Sequence, residues 1–215
     1  MANYEKPDTW TLRARREAYP ARSVYKLKEM DEKFRLIPAS GRAFRALDLG
    51  AAPGSWSLYT LRKLSGGDRA GQAGRAAGGF LAAADLSPLS RQYDRGLFDG
   101  ENFRFIQGDI RAEETRSSLL SHAPYRLVMS DAAPATTGNR QIDTLRSLEL
   151  AEAAFYYGET ALEKGGNLVL KVFQGGDTAG LLKRIRELFE TARSFKPAAC
   201  RRESFEIYYL GLGRN

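Results

Sequence analysis

The chain is poor in the residues that build metal and disulfide sites, with one cysteine, Cys200, and one histidine, His122, among 215 residues. A disulfide within the chain is excluded, and a zinc site of Cys and His nearly so; no metal is expected. Such cysteine usage gives no sign of an oxidising compartment. No apolar run approaches the roughly 20 residues that span a bilayer. The opening MANYEKPDTW lacks the apolar stretch of a secretory signal. A cytoplasmic protein with no membrane partner is the expectation. With no large apolar surface segment left over, a monomer is expected. Low complexity is confined to one Gly- and Ala-rich stretch, residues 66–79, which reads as a flexible connection between regular elements.

What the chain does have is positive charge. It carries 33 Lys and Arg against 26 Asp and Glu, a formal +7 with a pI near 9.6. Such an excess suits an anionic partner such as nucleic acid, although it also serves solubility. Most of it sits in residues 1–45, where eleven basic residues face six acidic ones. Within that segment Val24, Leu27, Met30 and Phe34 recur at helical spacing, predicting a helix from about Arg22 to Phe34 after Pro20. Residues 1–40 read as a basic helical segment, and residues 41–215 as the main body of one compact domain.

In that body, short apolar runs alternate with amphipathic stretches. The runs Phe44–Gly50, Phe80–Leu86, Asn102–Asp109, Tyr125–Asp131 and Asn167–Phe173 read as strands. Helices are predicted at Ser55–Leu64, Thr144–Glu163 and Ala179–Ala192. Phe205–Gly213 reads as a closing strand, pairing with another near Ser194–Ala199. The alternation implies an α/β fold, an open parallel sheet with helices on both faces. Ligands of such sheets bind beyond the carboxyl ends of the strands. Asp48, Asp85, Asp109 and Asp131 all fall at or near strand ends, which gathers carboxylates on one edge of a basic protein.

Individual motifs sharpen this. Asp48-Leu-Gly-Ala-Ala-Pro-Gly54 follows a strand and opens a helix. Its glycines, Gly50 and Gly54, would let a ligand approach the backbone. The spacing is not the G-x-G-x-x-G of dinucleotide sites, and Pro53 removes an amide that would cradle a pyrophosphate. A cofactor without phosphates fits better than a nicotinamide dinucleotide. Asp85 can accept from ribose hydroxyls, and Asp109 from an adenine amino group, or either can be a turn residue. Asp131 ends an apolar strand before Ala-Ala-Pro134 and is a candidate beside a pocket. Lys171 sits inside the apolar run LVLKVF, where a lysine is rarely buried without a partner. It is either a strand-end lysine reaching water or a functional amine, and a desolvated amine can act as a base.

Together PARSVYKLKEMDEKF, LDLGAAPGSWSLY, IQGD, VMSDAAP, LVLKVFQG and SFEIYYLGLG resemble the FtsJ/RrmJ family of ribose 2′-O-methyltransferases, over about Tyr19 to Gly213. The resemblance implies a Rossmann-like class I methyltransferase with a mostly parallel seven-stranded sheet and an antiparallel C-terminal strand. It implies S-adenosylmethionine as cofactor, held by Gly50, Gly54, Trp56, Asp85, Asp109 and Asp131. It implies a catalytic Lys-Asp-Lys-Glu set, matched by Lys26, Asp131, Lys171 and Glu206. Glu203 lies near, but the strand register favours Glu206. In the family the second lysine is the proton acceptor; here acids beside Lys171 and its burial act in opposite directions, leaving base and positioning cation both open. The implied substrate is RNA, with large-subunit (23S) ribosomal RNA of the uridine 2′-O type favoured by the lack of an appended domain. Transfer RNA and a non-catalytic role in ribosome assembly are the alternatives. Arg13, Arg15, Arg16, Arg22 and Lys28 form a candidate RNA-docking surface. The segment 65–79 is longer than the family pattern leads one to expect.

Overall fold

A computed structural model of the chain describes residues 7–39, 43–66, 79–175, 178–201 and 203–215. The Gly-rich segment singled out in the sequence lies almost wholly outside these residues. Among the described residues the order is α1 (Thr9–Arg16), α2 (Val24–Phe34), β1 (Phe44–Leu49), α3 (Ser55–Leu64), β2 (Gly79–Asp85), β3 (Phe103–Gln107), α4 (Glu113–Leu120), β4 (Tyr125–Ser130), α5 (Arg140–Thr160), β5 (Leu162–Phe173), α6 (Thr178–Leu188), β6 (Phe189–Phe195) and β7 (Glu206–Arg214). None of the helices is long and apolar enough to cross a membrane.

The strands form one seven-stranded sheet in the order β3-β2-β1-β4-β5-β7-β6. The first five pair in parallel. β7 runs antiparallel between β5 and β6. Parallel strands buried on both faces need apolar side chains on both, which the run LAAA of β2 supplies, each residue fully buried. Alternation sorts the strand residues between two cores. Leu47, Ala82, Val128, Leu168, Leu170 and Val172 face α5 and α6, packing with Ala154, Phe155 and Ile185. Ala46, Leu81, Met129, Val169, Tyr208 and Leu210 face α2 and α3, packing with Leu27, Met30, Trp56 and Leu61. The basic N-terminal segment is therefore also a wall of the core, through α2.

The structure corrects several sequence boundaries. The helix expected to run to Glu163 ends at Thr160, and β5 begins at Leu162 rather than Asn167. The helix expected to reach Ala192 stops at Leu188, and residues 189–192 belong to β6. The strand expected over 194–199 overlaps β6 only at Ser194 and Phe195. Residues 196–199 lie in the β6–β7 loop instead. There the Glu29 carboxylate accepts from the amides of Ala198 and Ala199 at 2.6 and 2.9 Å. A loop that ties into α2 cannot also extend the sheet.

Candidate active site

The sheet order sets the site. Asp109 lies just beyond β3, Asp85 ends β2, Asp48 is the next-to-last residue of β1, and Asp131 follows β4. Lys171 lies near the end of β5. β7 runs the other way, so its first residue, Glu206, returns to the same edge beside Phe173. With neighbouring strands about 4.8 Å apart, these groups line roughly 24 Å of edge.

The turn after β1 is shaped for close approach. The amides of Gly50 and Ala51 donate to the Ala84 carbonyl, and the Ala52 amide donates to Asp85 Oδ2 at 3.0 Å. Gly50 has φ +74°, and a Cβ there would lie 2.5 Å from Ala132 Cα. Only glycine fits between this turn and the residue after Asp131. Gly54, at φ +106°, precedes α3 and caps it with no side chain. Trp56 is placed otherwise than as an open ligand-facing ring. Its indole donates to the Ser23 carbonyl at 2.8 Å and lies 5.9 Å from the Tyr208 ring, so its side chain ties α2 to α3.

Each acid has its own surroundings. Asp85 also accepts from the Ser87 amide at 2.8 Å. Asp109 is held by Arg111 through both oxygens, and those bonds keep its carboxyl below the usual range. Asp48 is fully buried; Oδ2 accepts from Ser57 Oγ at 2.6 Å while Oδ1 has no partner among the described residues. Burial pushes its carboxyl up to about 7, against the Ser57 bond, and Asp131 and Asp85 add to the rise.

Past the turn the edge changes character. Val169 and Lys171 share a strand face, as do Glu206, Tyr208 and Leu210, and both faces look towards α2, which carries Lys26. The four side chains of the expected catalytic set come together there. Lys26 Nζ lies 2.8 Å from Glu206 Oε2 and 3.8 Å from Asp131 Oδ1. Lys171 Nζ lies 3.1 Å from Asp131 Oδ1 and also donates to the Asp131 main-chain carbonyl. Each of the four side chains is at most 16% exposed. Burial pulls the Lys26 amine down, but Asp131 and Glu206 reverse this and raise it. Burial pushes the Asp131 carboxyl up, yet Lys171 and Lys26 carry it below its ordinary value. Glu203 is exposed, which leaves Glu206 as the acid of the cluster.

Tyr208 belongs to this cluster and was missed in the sequence. Its hydroxyl donates to Asp131 Oδ1 at 2.6 Å. The period of two from Glu206 was the signal available to find it. Cys200 is buried against the same residues, and burial, with Glu206 adding, pushes its thiol up to about 12.

A glycine turn that admits no side chain, flanked by carboxylates and an orphaned buried carboxyl oxygen, suits a cationic ligand better than a phosphate-bearing one. S-adenosylmethionine, with its sulfonium and ammonium groups, fits these donors and acceptors. Lys171, one strand further on, and Lys26, on α2 above it, then stand where a second substrate would meet it.

Known proteins resemble this chain over most of its length. The family described as FtsJ-like methyltransferase matches residues 19–214. A ribosomal RNA large subunit methyltransferase E of Treponema denticola is 47% identical over 209 residues, 97% of this chain and 96% of that protein. Its namesake from Borrelia garinii is 41% identical, with 97% of each chain covered. Among solved structures, a putative ribosomal RNA methyltransferase from Plasmodium falciparum shares the fold, with TM-score 0.70 and 24% identity over 91% of this chain and 98% of that one.

Proposed function

The chain belongs to the FtsJ-like methyltransferase family, and on that premise we propose that it transfers a methyl group from S-adenosylmethionine to a ribose 2′-hydroxyl of large-subunit ribosomal RNA. The observation that carries this reading is the buried cluster of Lys26, Asp131, Lys171 and Glu206. The names of the relatives support the choice of RNA. When bound, S-adenosylmethionine supplies an electrophilic methyl group with a good leaving group behind it. The protein's work is then alignment and handling of one proton. Gly50, Gly54, Asp85, Asp109 and Asp131 hold the cofactor. Lys171, oriented by Asp131, takes or steers the 2′-hydroxyl proton. Lys26, tied to Glu206, holds a substrate oxygen. Tyr208 fixes Asp131 from its other side.

The N-terminal segment contributes phosphate contacts in this reading. Arg15 and Arg16 are exposed on α1. Arg13 and Lys28 are paired with Glu17, and Arg22 with Asp8, so they shape that surface as much as they charge it.

The test is Lys171→Ala assayed on large-subunit RNA, with cofactor affinity measured separately by calorimetry. Methylation should fall at least a hundredfold with cofactor affinity little changed. Activity surviving within a few-fold would remove Lys171 from the role. RNA carrying a 2′-deoxy nucleotide at the modified position should receive no methyl group; transfer to it would place the chemistry on a base.

A further inference from the structure

Many exposed arginines of this chain face a carboxylate: Arg13 faces Glu17, Arg91 faces Asp94 and Asp99, Arg111 faces Asp109, and Arg184 faces Glu152 and Glu159. Arg140, the first residue of α5, does not among the described residues. Its guanidinium lies 5.3 Å from the centroid of the Phe205 ring, and Nη2 donates to the Gln174 carbonyl at 3.5 Å. Phe205 is itself braced, its ring 4.7 Å from that of Phe173 in a T-shaped contact and its carbonyl accepting from the Gln174 amide at 2.7 Å.

This bracing sits at the catalytic edge. Phe205 immediately precedes Glu206, and Phe173 is the register partner of Glu206. Gln174 lies three residues beyond Lys171, about 10 Å further along the strand direction at ~3.3 Å per residue. The segment between Asp131 and Arg140 is also held. The Asp143 carboxylate accepts from the amides of Thr137 and Gly138, at 2.8 and 3.2 Å, and Asn139 caps α5 by accepting from the amides of Gln141 and Ile142. Arg140 is thus exposed, held from behind by a ring and a carbonyl, and bonded to a residue three positions beyond Lys171. A guanidinium has five N–H donors in a planar fork that matches phosphate oxygens, and only one is used here.

We propose that Arg140, backed by Phe205, receives a backbone phosphate of the RNA strand next to the methylated nucleotide. It forms the α5 lip of the substrate cleft, opposite the lip made by α2. The inference rests on RNA being the substrate. Phe205 contributes by fixing the guanidinium before RNA arrives, so that less side-chain freedom is lost on binding.

The experiment compares wild type, Arg140→Ala, Arg140→Lys and Phe205→Leu on the same large-subunit RNA, over a salt series. Arg140→Ala should raise KM for RNA about tenfold, the loss of one charge-assisted contact, with kcat within twofold and cofactor affinity unchanged. The slope of log affinity against log salt should become shallower by about 0.7–0.9, one phosphate contact. Arg140→Lys should recover the slope and part of KM; Phe205→Leu should raise KM and keep the slope. A KM within twofold and an unchanged slope for Arg140→Ala would overturn the proposal. So would a raised KM with an unchanged slope, which would make Arg140 a platform for a base. A wild-type protein that neither binds nor methylates the RNA would instead overturn the substrate assignment, and this inference with it.

Discussion

Two aspartates on neighbouring strands show how far surroundings decide what a residue can do. Asp131 meets two lysines and a tyrosine hydroxyl, and its carboxyl is carried below the ordinary range. Asp48, fully buried, meets one serine, and burial raises its carboxyl to about 7. A carboxyl raised on folding binds its proton more tightly in the folded state. Its contribution is present at low pH and is lost as pH rises from the ordinary value of 3.8 to about 7. The cost across that window is on the order of 4 kcal/mol. Asp48→Asn keeps an acceptor for Ser57 and removes the titration. Thermal melts of the cofactor-free protein from pH 5 to 8 should therefore fall less steeply with pH for Asp48→Asn than for wild type. Parallel curves would show that Asp48 does not ionise in this window. At this scale the sequence was a good guide where side chains are chemically out of place. Lys171 in an apolar strand and acids at strand ends announce themselves. Tyr208 does not, because a tyrosine in a buried strand is ordinary, and only the structure shows what its hydroxyl meets. Nor could the sequence show that the Trp56 indole is bound to the Ser23 carbonyl.

At the scale of elements, the sequence located strands and helices more reliably than it bounded them. The apolar spacing of Leu181, Leu182, Ile185 and Leu188 does mark α6, but Phe189 to Ala192 continue a tolerable helical pattern. Pairing with β7 draws them into β6, an outcome that depends on a partner strand and not on local preference. The β6–β7 loop depends equally on a distant partner, Glu29. Glu29 stands three residues after Lys26 on α2, so the clamp on Ala198 and Ala199 also steadies the helix that delivers Lys26. Glu29→Ala leaves two amides without their acceptor and should cost about 1–2 kcal/mol, read as a lower melting temperature. The variant should also lose several-fold in kcat, while affinity for S-adenosylmethionine, whose proposed site lies on other elements, holds. An unchanged melting temperature would show that water replaces the carboxylate at no cost.

For the whole molecule, the order of motifs along the chain made the fold class and the pairing of the two last strands readable in advance. The position of β7 was not readable, because alternation states which face a residue takes and never which strand lies beside it. That position has a kinetic consequence. β7 is the last strand in the chain, yet it lies between β5 and β6 and brings Glu206 to Lys26, some 180 positions earlier. Contacts so distant in sequence form late in folding. On dilution from denaturant, helical signal should return first, and methylation only with the slowest global phase. Activity recovered ahead of that phase would contradict the prediction. Because β6 has no described neighbour but β7, a chain in which β7 has not docked lacks both antiparallel pairings and the glutamate partner of Lys26. A half-folded copy of this protein would lack the buried cluster on which the proposed methyl transfer rests.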